Sequence, residues 1–211
     1  MPGKSNIQSR LRSLLNPVVA FLSYLGITPL SVTIAGIILS LIGAIFVARG
    51  ALFLGGIVLI VSGLCDTVDG SLARRMGMES TFGAFIDSTS DRVTELAYYG
   101  ALILYFLRGD TANSVVIVFI LAALAGSFLT SYVRARAEGL GLECKVGWLE
   151  RPERVAILAV GLLLGRVVLI ALIVLLAVLT IFTFIQRVIH VRRITLGGDT
   201  AGDRGSHLSS H

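Results

Sequence analysis

Residues 31–48, "SVTIAGIILSLIGAIFVA", hold no charge at all. Comparable apolar runs recur along most of the chain, several of them close to the roughly 20 residues a helix needs to cross a bilayer core. A soluble domain of 211 residues has no use for so much apolar surface, 55% of the sequence by residue count with only 15% charged. The runs therefore predict an all-α integral membrane protein. Backbone N–H and C=O groups in hydrocarbon are satisfied within a helix, and irregular chain is confined to the edges.

Six spans are expected, at about 31–48, 51–75, 82–107, 112–137, 153–164 and 167–191. The fifth is short, so its start is expected inside the polar connector "LGLECKVGWLERPER". Ahead of them, "SNIQSRLRSLLNPVVAFLSYLG" mixes Arg10 and Arg12 with Leu11, Leu14, Leu15, Val18 and Val19 and reads as an amphipathic surface helix interrupted near Pro17. No cleavable signal peptide is visible in the first residues. Residues 1–195 read as a single domain, and 196–211, rich in Gly and Ser, as a disordered tail. Six spans put both ends of the chain on one side. That side collects Lys4, Arg10, Arg12, Arg74, Arg75, Arg134, Arg136, Lys145, Arg151, Arg154, Arg187, Arg192 and Arg193, against chiefly Arg49, Arg108 and Arg166 on the other. The positive-inside rule makes the crowded side cytoplasmic; the plasma membrane is the expected location. The net charge of +5 is thus a topology signal and not a nucleic-acid footprint.

Against this background "CDTVDGSLARRMGMESTFGAFIDSTSDR", Cys65 to Arg92, stands out. On a helix Asp66, Asp69, Gly70 and Ala73 fall at i, i+3, i+4 and i+7, one face, with Arg74 next along. On the following helix Gly83, Asp87 and Asp91 fall at i, i+4 and i+8, again one face. The connection "RMGMES" is short, which makes the helices antiparallel neighbours and lets both acidic faces share a cavity. Four carboxylates converging in a low dielectric repel, and a divalent cation removes the conflict. All-oxygen ligands suit Mg²⁺ or Mn²⁺. A proton or cation pathway is the other use of intramembrane acids. The neighbouring Gly70, Ala73 and Arg74 argue instead for a large anion approaching the backbone.

The spacing D-x2-D-G-x2-A-R-x8-G-x3-D-x3-D is carried by Asp66, Asp69, Gly70, Ala73, Arg74, Gly83, Asp87 and Asp91 without a departure. In this the chain resembles the CDP-alcohol phosphatidyltransferases, whose six-span layout it also matches. The resemblance implies transfer of a phosphatidyl-type group from a CDP-linked lipid to an alcohol, with release of CMP. It implies two divalent ions on Asp66, Asp69, Asp87 and Asp91, and Asp91 as the general base. It implies room for cytidine and diphosphate at Gly70 and Ala73, Arg74 on the phosphates, Ser80 near the nucleotide, and a nucleotide-lining turn at Thr28, Pro29, Leu30 and Ser31. A homodimer is implied too. The small residues Gly36, Ser40, Gly43, Ala122 and Gly126 permit close helix contacts either within the chain or between copies.

For the acceptor, "SYVRARAEG", "ERPER" and "QR" resemble the bacterial phosphatidylinositol phosphate synthases, which use inositol 1-phosphate. The resemblance assigns Arg134, Arg154 and Arg187 to the acceptor phosphate. Position 134, commonly Lys in that group, is Arg here. Glycerol 3-phosphate as acceptor and an archaeal-type CDP-lipid as donor are the alternatives within the same chemistry. Glu95, a turn beyond Asp91, reads as hydrogen-bonded to a neighbouring helix, Trp148 as an interface anchor and His190 as a headgroup-region residue.

Overall fold

The computed structural model describes residues 2–108 and 112–206, with side chains from 13 to 196 within those stretches. Among the described residues there are seven helices and no strand: α1 Pro2–Tyr24, α2 Pro29–Ala48, α3 Leu52–Met76, α4 Thr81–Phe106, α5 Ser114–Gly139, α6 Arg151–Leu164 and α7 Arg166–Ser206. Four are long and apolar enough to cross a membrane: Pro29–Ala48, Leu52–Met76, Ser114–Gly139 and the Arg166–Leu196 part of α7. Helix α4 is long but carries Asp87, Asp91, Arg92 and Glu95 between its second and fourth turns. Helix α6 has 14 residues, about 21 Å at 1.5 Å per residue, against a hydrocarbon core of roughly 30 Å.

Helix boundaries follow local chemistry. Thr28 caps α2 through its side chain, with Pro29 in the first turn. Gly77 ends α3 in the left-handed region at φ 65°, where glycine carries no Cβ penalty. Ser80 and Asn113 cap α4 and α5. Helix α6 starts at Arg151 with Pro152 in its first turn, inside the polar connector as its shortness requires. Two elements differ from the sequence reading. Helix α1 runs through Pro17 without a break, because a proline withdraws one N–H and need not end a helix that neighbours hold in place. Helix α7 continues through "LGGDTAGDRGS", part of the stretch read as a disordered tail. The side chains of Lys4, Arg10, Leu11 and Arg12, on which the amphipathic reading of α1 rests, lie outside the described residues, as do residues 207–211.

Helix α2 packs against both α3 and α4, which share little direct contact with each other although the short turn between them leads one to expect neighbours; α5 pairs with α7, and α6 bridges α3 and α7. Gly36, Gly43 and Gly126 are used within the chain. A Cβ on Gly36 would meet Cys65 Cβ at 3.2 Å, Gly43 faces Tyr98 and Val58, and Gly126 faces Thr180. Ser62 Oγ donates to Gly36 O at 2.9 Å and Tyr98 Oη to Gly55 O at 3.0 Å, polar links between closely packed helices. Val19 docks α1 on Val32, Val68 and Leu72. Outward-facing positions are apolar: Ile34, Ile38, Leu41 and Ile45 on α2, Val118 and Leu121 on α5, Val178 and Ile185 on α7. Buried Ser40, Ser62, Ser127, Thr130, Thr180 and Thr183 face inward. The interior remains chiefly apolar, and the apolar outer surface suits a lipid solvent.

Candidate active site

The end of α3 and the start of α4 form one wall of a cavity of about 570 Å³. Asp66, Asp69, Gly70, Ala73 and Arg74 line it from α3, and Ser80, Gly83 and Asp87 from the turn and α4. Thr28, Pro29 and Leu30 close the opposite side, joined by Pro152 of α6. The two acidic faces that helical periodicity predicts do therefore meet. Ser31 is not part of the lining; its backbone N–H and hydroxyl bond Thr28 Oγ1 at 3.3 and 2.8 Å, so it holds the turn that the cavity uses.

Carboxylate oxygens of Asp66, Asp87 and Asp91 lie within 4.8 Å of one another. The three form an all-oxygen donor set of the size a hard divalent cation takes. Asp69 stands beside them, 5% exposed, and accepts a 2.6 Å hydrogen bond from Thr33 Oγ1 of α2. That bond fixes which way the carboxylate presents its other oxygen, the kind of support that orients metal ligands. Asp91 is buried and does not line the main cavity. The residues present fit a divalent metal by donor chemistry and by convergence.

On the floor of the cavity Gly70 and Arg74 work together. Arg74 Nη2 donates to Ser71 Oγ at 3.2 Å, and its Nη1 lies 3.7 Å from where a Cβ on Gly70 would stand. The guanidinium thus lies close beside the bare backbone of Gly70. Ser80 Oγ accepts from Gly83 N at 3.0 Å, so its hydroxyl caps α4 while it lines the cavity.

The three arginines assigned to the acceptor phosphate lie outside the cavity lining. Each has protein partners. Arg134, about half exposed, pairs with Glu138 at 2.9 Å. Arg154, 3% exposed, donates from Nε and Nη2 to Glu95 Oε1 at 3.2 and 2.9 Å. Arg187, 4% exposed, donates to Val146 O at 2.9 Å and Thr130 O at 2.8 Å, which fastens the connector 140–150 to α5 and α7. Glu95 is bonded to a neighbouring helix as the sequence suggests, and the partner is Arg154. Trp148 is exposed and meets Phe182 edge-on at 5.7 Å; His190 Nε2 sits 3.2 Å from Glu143 O.

Two site residues escape sequence reasoning. Thr33 sits among ordinary span residues, with no local mark. Arg151 reads in the sequence only as a cytoplasmic charge, yet its Nη1 is 2.9 Å from Asp66 Oδ2 and its Nη2 2.6 Å from Asp91 Oδ1. The available signal is its place immediately before Pro152, at the mouth of a short helix directed at the acidic pair.

The sequence profile of the CDP-alcohol phosphatidyltransferases matches residues 26–194. An archaetidylinositol phosphate synthase of Methanothermobacter thermautotrophicus is 38% identical over 164 residues, 76% of this chain and 80% of the relative. A phosphatidylinositol phosphate synthase of Streptomyces avermitilis is 37% identical over 199 residues, 89% of this chain and 81% of the relative. Among solved structures, the phosphatidylinositol phosphate synthase of Mycobacterium tuberculosis with CDP-DAG bound superposes with a TM-score of 0.77 at 33% identity, covering 83% of this chain and 92% of that one. The same enzyme in complex with manganese and citrate matches equally well, with 83% and 87% coverage.

Proposed function

The chain belongs to the CDP-alcohol phosphatidyltransferases, divalent-metal-dependent transferases of phospholipid synthesis, and we propose that it moves the phosphatidyl group of CDP-diacylglycerol to inositol 1-phosphate, giving phosphatidylinositol phosphate and CMP. Family membership sets aside the cation-path reading of the acids. The observation that carries the proposal is the cavity itself: Asp66, Asp69 and Asp87 share it with Gly70, Ala73 and Arg74, a combination that suits a diphosphate and serves no ion path. Support for the acceptor comes from the relatives, bacterial and archaeal, whose names both specify an inositol phosphate product. Their names differ in the lipid, so an archaeal-type CDP-lipid is the second reading of the donor.

In this reading Asp66, Asp69, Asp87 and Asp91 hold the metal, two ions by resemblance, which when bound offsets the negative charge of the diphosphate and of the transferring phosphoryl group. Arg74 contacts a phosphate from the cavity floor, and Gly70 and Ala73 leave the nucleotide room. Thr28, Pro29 and Leu30 line the nucleotide side, and Ser80 adds a hydroxyl near it. Asp91 takes the proton of the attacking inositol hydroxyl. The new P–O bond forms at the phosphorus that carries the diacylglycerol, and the bond from that phosphorus to CMP breaks. By resemblance, Arg134, Arg154 and Arg187 supply positive potential for the acceptor phosphate, with their guanidinium groups held by Glu138, by Glu95 and by the carbonyls of Val146 and Thr130.

The proposal also includes the membrane frame. Helices α2 to α7 cross the plasma membrane, with α1 on the surface and both termini and the cavity cytoplasmic. The domain is residues 1–195. A homodimer would use outward apolar faces, because Gly36, Gly43 and Gly126 are occupied within the chain. The test is CMP release from CDP-diacylglycerol by the protein in nanodiscs with Mg²⁺ or Mn²⁺, run against a panel of acceptors. Release only when inositol 1-phosphate is present supports the assignment, and release with glycerol 3-phosphate alone replaces it.

A further inference from the structure

Arg151 stands inside the acidic cluster. Its guanidinium bridges α3 and α4, with Nη1 at 2.9 Å from Asp66 Oδ2 and Nη2 at 2.6 Å from Asp91 Oδ1. These are two of the three carboxylates that converge within 4.8 Å. A divalent ion bound by Asp66 and Asp91 would draw on the same two carboxylates that Arg151 engages, and a guanidinium beside them opposes a second cation by like-charge repulsion.

The fit of the guanidinium is poor in a specific way. Toward Asp66 its N–H is aligned as a hydrogen bond. Toward Asp91 the contact is close, yet Asp91 Oδ1 has no aligned hydrogen bond among the described residues, and neither does the buried Nε of Arg151. A well-matched guanidinium–carboxylate pair makes two parallel N–H···O bonds to one carboxylate. Arg151 instead splits its fork between two carboxylates, one contact aligned and one not, and leaves a buried donor unused, a costly state for a polar group. Arg151 is also well placed to move. It is the first residue of α6, 20% exposed at its side chain, with the cavity-lining Pro152 next to it.

We infer that Arg151 is a resident counter-ion that holds Asp66 and Asp91 together in the metal-free protein and is displaced when the divalent ion binds. The inference rests on the metal assignment of Asp66, Asp69, Asp87 and Asp91 made above. It gives Arg151 a positioning role. Without a cation between them, converging carboxylates in a low dielectric would repel or take up protons; with Arg151 there, the donor set stays assembled. The consequence is that Arg151 competes with the metal, so metal affinity is set below what the four aspartates alone would give.

The experiment is a Mn²⁺ titration of the full chain in neutral-lipid nanodiscs, with no CDP-lipid, reading free Mn²⁺ by its electron paramagnetic resonance signal. Wild type, Arg151→Gln, Arg151→Lys and Asp87→Asn are compared, with thermal unfolding of each. Arg151→Gln removes the competing charge and should bind Mn²⁺ roughly tenfold more tightly, the loss of one charge-assisted contact being of that order. Arg151→Lys keeps the charge but cannot bridge two carboxylates, and should fall between the two. If Arg151→Gln does not fold, the comparison of Arg151→Lys with wild type decides alone. Equal or weaker Mn²⁺ binding in the Arg151 variants, with wild type binding normally and Asp87→Asn impaired, overturns the counter-ion role and leaves the metal site standing. No binding by wild type, or full binding by Asp87→Asn, overturns the metal assignment and the inference with it.

Discussion

Arg154 holds a buried ion pair and, in the proposed function, also serves the acceptor phosphate; a single substitution would confuse the two, and its surroundings allow them to be separated. Its Nε and Nη2 both donate to Glu95 Oε1, at 3.2 and 2.9 Å, with side chains 4% and 5% exposed. Nη1 reaches Leu149 O at 3.4 Å. Arg154→Ala therefore leaves an ionised carboxylate buried with its main partner gone. Glu95 Oε2 already lacks an aligned hydrogen bond among the described residues and keeps only Arg92 Nη1 at 3.8 Å. Breaking a buried pair from one side costs about 3–5 kcal/mol, whereas replacing both partners with apolar groups is often close to neutral. The expected outcome is a large loss of resistance to unfolding in Arg154→Ala. Most of it should return in Arg154→Met combined with Glu95→Leu, with a coupling energy of about 2 kcal/mol or more in the cycle. The assay is reversible unfolding in mixed micelles followed by circular dichroism, on wild type, both singles and the double. Activity on the stable double variant then isolates Arg154's contribution to the acceptor, expected as a rise in acceptor KM well above any rise in donor KM. Additive singles, within about 0.5 kcal/mol, would refute the pairing argument. Equal effects on both KM values would refute the acceptor role.

Other outcomes can be read in simpler experiments. Asp91→Asn should abolish turnover while CDP-lipid binding persists, because the amide cannot take the hydroxyl proton; wild-type turnover in that variant removes Asp91 from the base role. Thr33→Val deletes the 2.6 Å bond to Asp69 and should weaken metal affinity about tenfold or more, checked by Mn²⁺ titration; unchanged affinity would make Thr33 incidental. Gly70→Ala places its methyl 3.7 Å from Arg74 Nη1, an ordinary contact, so it should fold and lose modestly in donor KM, while Gly70→Leu should block the cavity and abolish CDP-lipid binding. Arg187→Lys gives up the fork that ties Val146 O and Thr130 O, and limited proteolysis should then cut the connector near 143–147 faster than in wild type.

What is legible in the sequence is legible because it is local. Asp66, Asp69, Gly70 and Ala73 share a face by helical geometry alone, and a short turn forces the face of Asp87 and Asp91 toward them. The cap at Thr28 and the glycine stop at Gly77 follow from the same short-range rules. What escapes depends on packing between distant segments. The Thr33–Asp69 bond spans 36 positions and the Arg151–Asp66 pair 85. Neither leaves a periodic trace, and Arg151 is hidden among cytoplasmic charges that topology alone would explain. Arg154 and Arg187 are assigned to the acceptor phosphate by resemblance; their protein partners, Glu95 and two backbone carbonyls, are supplied only by the docking of α4, α5 and the connector. The small-residue positions are legible as close contacts, but their pairing within the chain requires the positions of Cys65, Tyr98 and Thr180. Helices α4 and α6 show the limit of hydropathy. The sequence reading expects both as spans, yet α4 carries Asp87, Asp91, Arg92 and Glu95 and α6 is short, so neither is among the four helices long and apolar enough to cross a membrane.

The central claim is the choice of acceptor, and one measurement addresses it directly. Wild-type protein in nanodiscs is given radiolabelled CDP-diacylglycerol and Mg²⁺ with inositol 1-phosphate, glycerol 3-phosphate, free inositol or serine, and CMP and lipid products are quantified. The account predicts metal-dependent CMP release and a labelled phosphatidylinositol phosphate with inositol 1-phosphate, and little product with the others. A labelled phosphatidylglycerophosphate from glycerol 3-phosphate, with none from inositol 1-phosphate, would contradict it.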